Sequence, residues 1–570
     1  MTTLTDRPSV PIARSPAAAV APRRWPATAL FIVLAISYFG VGCLLMMRYN
    51  LFDPDATSRV ANAGYVLMSR DPHLSAVGFV WNPLPSLVEV PVLEFARWWP
   101  ELRTHGLAAV VQSAGFMAAA ALMVRRIALD RGVGSGWRRV AVACFALQPM
   151  IVVYGASGMS EAAETFCLLW CTRHLMRWSD EQRTGDLAWA ALALSVGYLA
   201  RYEVVPAAFG AAAFVIVLTW ARAAAGSRAA NALSHMAIIL FPIATTAAIW
   251  ALTGWVVNEE LFATLSSRYG NDSQVAGAME RGGPLSHAAS ADWVVISARL
   301  FGMQPFVGIA AAGAVVHAVL ARKPTATVPV VIFGSVLAFA AWGQYSSTTF
   351  GWFRFYLLAI PLVVCVALAC WEPDWAPRRR WATETRSGRL AAVLLSVSIL
   401  FGFPVTVGAM LNERIGNQQL QFGFNSLLHP GRFPAQDQWY RRLMVNDRIL
   451  ADYLDRQRLP DGAVLMDTFN TWGVWLSSDN PKQFTVSSDF DFKAELNRPW
   501  QYGVKYLLVS NPAITDADAL NIRYPTLWND GAGMSKLDYT IYGATGDERF
   551  RLYRVTGPPQ TPAGTPTDTR

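Results

Sequence analysis

Hydrophobic residues in this chain come in long blocks separated by short, arginine-rich joints, and that alternation predicts its architecture. Apolar runs fall near residues 27–47, 105–124, 140–156, 161–176, 187–200, 204–221, 232–256, 293–320, 326–343, 353–371 and 390–411. A helix of about 20 apolar residues crosses a ~30 Å hydrocarbon core, with its backbone polar groups bonded within itself. The pattern therefore predicts an α-helical polytopic membrane protein with about eleven transmembrane helices over residues 27–411. One further run, Leu84–Trp99, carries Glu89, Glu94 and Arg97 and ends in Trp98-Trp99. Its charges and aromatic end suit a helix lying in the membrane interface.

Beyond residue 411 the period changes. Short runs rich in β-formers appear at 463–466, 484–486, 505–509, 537–542 and 550–555, with a helical pattern at Asp447–Gln457 between them. They predict a small α/β domain over 412–557. The Pro/Thr-rich tail at 558–570 reads as disordered. Residues 1–26 read as a cytoplasmic tail, since the first apolar run is too long for the core of a cleavable signal.

Charge orients the spans. Only 15% of the 570 residues are charged, against about 25% in soluble domains. The net charge of +8 invites a nucleic-acid reading, yet the basic residues sit in short loops between apolar runs, which is the positive-inside bias. Nucleic acid is therefore excluded as a partner. With the N-terminal tail in the cytoplasm, five alternate loops are the basic ones. They hold Arg125, Arg126, Arg131, Arg138 and Arg139; Arg173, Arg177 and Arg183; Arg222 and Arg228; Arg322 and Lys323; and Arg378, Arg379, Arg380, Arg386 and Arg389. The cytoplasmic tail makes 48–104 the first outer loop, and an odd number of spans then places the 412–557 domain on the extracytoplasmic side of the inner (plasma) membrane. The six cysteines all fall in apolar runs, so no disulfide framework is expected in the outer domain. The seven histidines show no metal-binding spacing.

Sidedness gathers the candidate chemistry. The first outer loop opens with Asp53-Pro-Asp55-Ala-Thr-Ser-Arg59, then a helical stretch Val60–Arg70, then Trp81-Asn-Pro-Leu-Pro85. Two neighbouring carboxylates can supply a base and a charge that holds it. The plainer alternative is that Asp55 caps a helix. The third span exits at Tyr154-Gly-Ala-Ser-Gly-Met-Ser160-Glu161, and Glu161 and Glu164 enter the fourth. A carboxylate in a span is a functional candidate, although Glu161 could merely complement a helix dipole. Arg201 and Arg354 run against the positive-inside bias, and a phosphate gripped bidentately explains them; snorkelling is the alternative. The polar loop 258–292, with Arg268, Tyr269, Asn271, Asp272 and Arg281, is long enough for a lid.

These segments resemble the GT-C membrane glycosyltransferases, in particular the branch of protein O-mannosyltransferases, the lipid A aminoarabinose transferase and the mycobacterial mannosyl- and arabinosyltransferases. Asp53-Pro-Asp55 resembles that family's acidic pair, and Trp81-Asn-Pro-Leu-Pro85 its Pro-rich stretch. Met159-Ser-Glu161 resembles its second acidic motif, and Arg354-Phe-Tyr356 with Pro361 its late Arg-Tyr…Pro segment. The likeness covers roughly residues 27–411. It departs where Pro54 splits the acidic pair, leaving Asp53 and Asp55 both open as the base, and where Trp-Asn-Pro stands for Lys-Pro-Pro. The resemblance implies an inverting glycosyltransferase that moves a sugar from polyprenyl phosphate to an extracytoplasmic glycan, lipid or protein. In such an enzyme Asp55, Asp53 and Glu161 would be catalytic, and Arg201, Arg354, Tyr356 and Arg59 would bind the donor phosphate. The Ala/Arg-rich composition is associated with mannose or arabinofuranose as the sugar. No feature demands a divalent metal, although paired acids are able to hold one. The rival readings are a multi-span transporter or lipid flippase, which an internal repeat with interrupted helices would mark, and a non-catalytic scaffold.

Overall fold

The computed structural model describes residues 25–281, 292–371, 380–381, 383, 385–416 and 418–559. Most of the 1–26 tail, Arg378, Arg379, the Arg281 side chain and the last residues of the 558–570 tail lie outside the described residues.

Each apolar run does form helix, but fewer than eleven are candidate spans among the described residues, and an even count of six or eight no longer by itself places the 412–557 domain outside. Among the described residues six helices are long and apolar enough to cross a membrane: Ala27–Arg48, Leu107–Asp130, Tyr202–Arg222, Ala225–Asn258, Pro324–Tyr345 and Arg386–Leu411. Two bent pairs raise the number to eight. Ser135–Ala146 with Pro149–Ala156 bends by 62°, and Trp293–Met303 with Val307–Leu320 bends by 78°. The remaining runs are the short apolar helices Thr184–Ala200 and Phe353–Ala369 and the charged helix Glu161–Glu181. Counting runs treats all of them alike. Yet Glu161–Glu181 carries buried acids and packs inside the protein, where neighbouring helices rather than lipid satisfy it.

The first bend has a local cause. Pro149 lacks an N–H and starts a new helix, and the Gln148 side chain caps it by accepting from the Met150 and Ile151 amides at 2.7 and 3.3 Å.

The basic joints meet at one end of the bundle. Arg131 Nη1 pairs with Asp180 Oδ2 at 2.5 Å, and Thr325 Oγ1 donates to Asp180 Oδ1. Arg222 Nη1 donates to the Ser179 carbonyl at 2.7 Å, and the Gly136 amide to the Arg380 carbonyl at 3.0 Å. These bonds join all five arginine-rich joints.

At the opposite end lie the first loop and the C-terminal sheet. The five predicted strands all form: β1 (Val464–Met466), β2 (Phe484–Thr485), β3 (Tyr506–Ser510), β4 (Ser535–Tyr542) and β5 (Glu548–Val555). Their order is β2-β1-β3-β5-β4. The first three are parallel, and β5 and β4 add on antiparallel.

One helix of the first loop ties this sheet to the bundle. Pro54–Met68 starts earlier than the Val60 expected and presses Gly64 and Tyr65 against Trp475, with the two rings 4.6 Å apart and edge-on. A Cβ on Gly64 would stand 2.6 Å from the Trp475 ring, so only glycine permits this approach. Just beyond that helix, Arg70 pairs with Glu495 at 2.6 Å and also with Asp491. The expected interfacial helix breaks into Leu84–Leu93 and a 3-10 turn, Glu94–Arg97.

Candidate active site

The Pro54–Met68 helix opens on the acidic pair. Asp53 is its N-cap, with extended backbone (φ −96°, ψ 125°), Pro54 at N1 and Oδ1 accepting from the Asp55 amide at 3.0 Å. The cap is thus Asp53, not Asp55 as sequence suggested. A cap needs one carboxylate oxygen, which leaves Asp53 Oδ2 for Arg354 Nη1 at 3.0 Å. Asp55, two positions further on at N2, accepts from Arg354 Nη2 at 2.7 Å. One guanidinium therefore forks across both acids. The Asp53 side chain is 5% exposed and that of Asp55 34% exposed. Burial pushes the Asp53 carboxyl up, Arg354 opposes this, and Asp55 and Glu161 add to it.

The ion pairs continue into the bundle. Arg354 Nε lies 3.2 Å from Glu161 Oε1, which lies 3.0 Å from Arg201 Nη1. Arg201 in turn meets Glu164 at 3.3 Å and Glu203, and its Nη1 donates to Ser160 Oγ at 3.2 Å. Local backbone sets these positions. Gly158 has φ +79°, and a Cβ there would lie 2.5 Å from Ala109 Cβ and 3.2 Å from Ala56 Cβ. The turn before Glu161 thus sits directly against the Asp55 helix. Arg201 ends the Thr184–Ala200 helix in extended conformation (φ −155°). The Phe355 ring sits 5.5 and 5.7 Å from the two guanidinium carbons.

Six of the seven sequence-predicted residues come together: Asp53, Asp55, Glu161, Arg201, Arg354 and Arg59. Tyr356 does not join them. It is fully buried and donates to Gln344 Oε1 at 2.7 Å, because the 3-10 turn Phe353–Tyr356 points Arg354 and Phe355 at the site and turns Tyr356 away. Arg201 is ringed by Glu161, Glu164 and Glu203, and Arg354 by Asp53, Asp55 and Glu161. Arg59 is different. Among the described residues it has no carboxylate within ion-pair distance. Its Nη1 reaches only the Asp55 carbonyl (3.2 Å) and Met159 Sδ (3.9 Å), its buried Nε has no partner, and it stacks on Trp81 at 4.3 Å.

These groups border a cavity of ≈340 Å³, walled by Asp55, Arg59 and Arg201 and by aromatic rings that include Trp81, Tyr269, Trp352 and Tyr440. Sequence reasoning missed Trp439 and Tyr440, which come from the C-terminal part; a Trp-Tyr pair in a polar stretch was the available signal. Burial raises the Tyr440 hydroxyl above its ordinary value, so it stays a neutral donor. The 258–281 segment borders the cavity and is tied down on three sides. Thr264 donates to the Phe79 carbonyl (3.1 Å), Tyr269 to Asp467 Oδ2 (2.7 Å) and Asn271 to the Thr348 carbonyl (2.9 Å). Among the described residues no three His, Cys, Asp or Glu are grouped to hold a metal ion.

Fold and site together define a helical membrane protein with a chain of buried acids and guanidiniums at one end of its bundle, under a small C-terminal sheet. No protein-family model matches the chain, and no curated protein matches it significantly.

Proposed function

We propose that this protein is an inverting glycosyltransferase of the plasma (inner) membrane. It takes a sugar from a polyprenyl-phosphate donor and passes it to a hydroxyl of an extracytoplasmic glycan, lipid or protein. The observation that carries this reading is the asymmetry of the acidic pair. Asp53 is consumed by its cap and Arg354, whereas Asp55 keeps a partly exposed carboxylate at the wall of a ≈340 Å³ cavity. A base must reach its proton from a held position, and Arg354 supplies the hold.

In the proposed step Asp55 takes the acceptor hydroxyl proton as that oxygen bonds to the anomeric carbon. The bond from that carbon to the phosphate oxygen breaks, and its electron pair leaves on the lipid phosphate. Arg59 meets the growing phosphate charge, the kind of preorganised interaction that stabilises a transition state. Glu161 spans Arg354 and Arg201 and keeps both in register. The aromatic walls suit the apolar faces of sugar rings. The test is transfer from a labelled lipid donor in membranes: normal activity in Asp55→Asn, Asp53→Asn and Glu161→Gln alike would remove the reading.

One observation favours the carrier reading. The two helix breaks face each other, joined by Gln148 Nε2 to Thr406 Oγ1 (2.9 Å) and Thr406 Oγ1 to the Met303 carbonyl (3.0 Å), and interrupted helices that meet are a transporter trait. Among the described residues no ionisable side chain takes part in these bonds. A flippase moves lipid without sugar transfer, so lipid scrambling in vesicles by an Asp55→Asn variant is its discriminating result.

A further inference from the structure

The end of the bundle away from the cavity holds two kinds of arginine. One kind is neutralised: Arg131 pairs with Asp180, Arg173 with Asp130, Arg177 with Asp186 and Arg183 with Glu181. The other kind is not. Among the described residues Arg125, Arg126, Arg138 and Arg139 have no carboxylate within ion-pair distance. The positive-inside bias accounts for arginine at this end. It does not account for four that stand without acids while others at the same end are paired.

Their positions concentrate the charge. Arg125 and Arg126 lie near the end of the helix Leu107–Asp130, and Arg138 and Arg139 near the start of Ser135–Ala146, which packs against it. The charges acting on the half-buried Arg138 are Arg125 and Arg139. Among the described residues its side chain donates only to the Val133 carbonyl, at 3.4 Å. Ser135–Ala146 has no acid in its first turn and no side-chain cap, so the positive end of its dipole adds to the same field. Asp130, the acid closest along the chain, is held by Arg173 and Arg177. An anion among these like charges relieves their repulsion, and guanidiniums grip phosphate oxygens bidentately.

The surroundings select the anion. Trp137 meets Trp381 edge-on at 5.5 Å, and Trp381 is 53% exposed; exposed indoles beside apolar helices belong to the membrane interface. The helix Arg386–Val397 packs on Ser135–Ala146 and leaves Leu390 and Val393 exposed on a candidate span. An anion that satisfies arginines, indoles and this apolar face together carries acyl chains.

We infer that Arg125, Arg126, Arg138 and Arg139 bind the headgroup of an anionic phospholipid whose acyl chains lie along Arg386–Val397. Four guanidiniums exceed the single charge of phosphatidylglycerol, so a diphosphatidyl lipid, with two phosphates in one headgroup, is the better match. The site lies at the opposite end from the acid–guanidinium chain, and the inference does not rest on the proposed transfer.

The experiment is native mass spectrometry of the purified full chain, delipidated in detergent and titrated with diphosphatidylglycerol, phosphatidylglycerol or phosphatidylcholine. The two-phosphate lipid is expected to bind tightest and phosphatidylcholine weakest. Arg138→Gln and Arg139→Gln each weaken binding about tenfold, the worth of one charge-assisted hydrogen bond, and Arg138→Lys retains part of it. Arg183→Gln removes an equal charge at the same end from an arginine that is already paired, and it leaves binding unchanged. Thermal melting confirms that each variant folds, and the exposed Arg139 keeps the test decisive if Arg138→Gln does not. Inorganic pyrophosphate, which has the charge without the chains, competes poorly. Equal losses in Arg139→Gln and Arg183→Gln overturn the inference. So does phosphatidylglycerol or phosphatidylcholine binding as tightly as the two-phosphate lipid, or full displacement by pyrophosphate at the lipid's own concentration.

Discussion

At the residue scale the two aspartates separate cleanly, and so do their variants. Asp55→Asn removes the proposed base while keeping a side chain that still accepts from Arg354. Transfer is expected to fall about 10²–10⁴-fold, with thermal stability nearly unchanged because Asp55 is partly solvated. Asp53→Asn keeps a good cap but leaves Arg354 short of one buried partner, so it should cost about 1–3 kcal/mol of stability and a smaller share of rate. Parallel melting and transfer assays check the pair; equal rate losses in both would dissolve the distinction. A second titration lies in the C-terminal part. Asp489 is buried, and burial pushes its carboxyl up to about 7 against the Val486 amide and Arg70. The folded protein thus holds a proton that the unfolded chain releases near its ordinary value. That contribution is full below about pH 4 and is lost as pH rises through 7, at no more than about 1.4 kcal/mol per pH unit. Asp489→Asn should flatten the fall of melting temperature between pH 5 and 7; an unchanged slope contradicts the assignment. The acids and arginines of the site were visible in the sequence as charges in the wrong places. Their partners were not, since Arg354 meets residues some 300 positions away and no local pattern encodes that.

At the scale of elements, glycine and tryptophan decide how closely the first loop approaches its neighbours. Gly158→Ala places a Cβ against Ala109 at a positive φ, a combination expected to cost about 2 kcal/mol or more and to displace Glu161. Loss of transfer exceeding loss of folded protein, measured on the same preparation, is the expected result. Trp475→Ala empties the socket that holds Gly64 and Tyr65 and should destabilise by about 3–5 kcal/mol, read as a lowered melting temperature; a shift of under a degree would mean the Pro54–Met68 helix is held elsewhere. Runs of apolar residues and short β-rich segments were legible as helices and strands because their periods differ. The number of spans was not, because a run's hydropathy does not say whether its neighbours are lipid or other helices. Glu161–Glu181, with acids buried at its start, shows the difference. The Trp439-Tyr440 contribution left only an aromatic pair in a polar stretch as its signal, since the packing of the C-terminal part on the first loop is what brings it to the cavity.

At the scale of the whole molecule, two ends are built from opposite materials. One gathers the arginine-rich joints around Asp180 and Ser179; the other gathers the acid–guanidinium chain, the cavity and the C-terminal sheet. The positive-inside rule assigns the first end to the cytoplasm, and the proposed chemistry requires the second to face away from it. Impermeant maleimide labelling of single cysteines in intact cells tests this most directly, using Asp437→Cys and Asp272→Cys near the cavity end and Gln182→Cys at the arginine-rich end, all exposed positions. The account predicts that the first two label in intact cells and that Gln182→Cys labels only after lysis. Labelling of Gln182→Cys from outside, with Asp437→Cys protected, would contradict it.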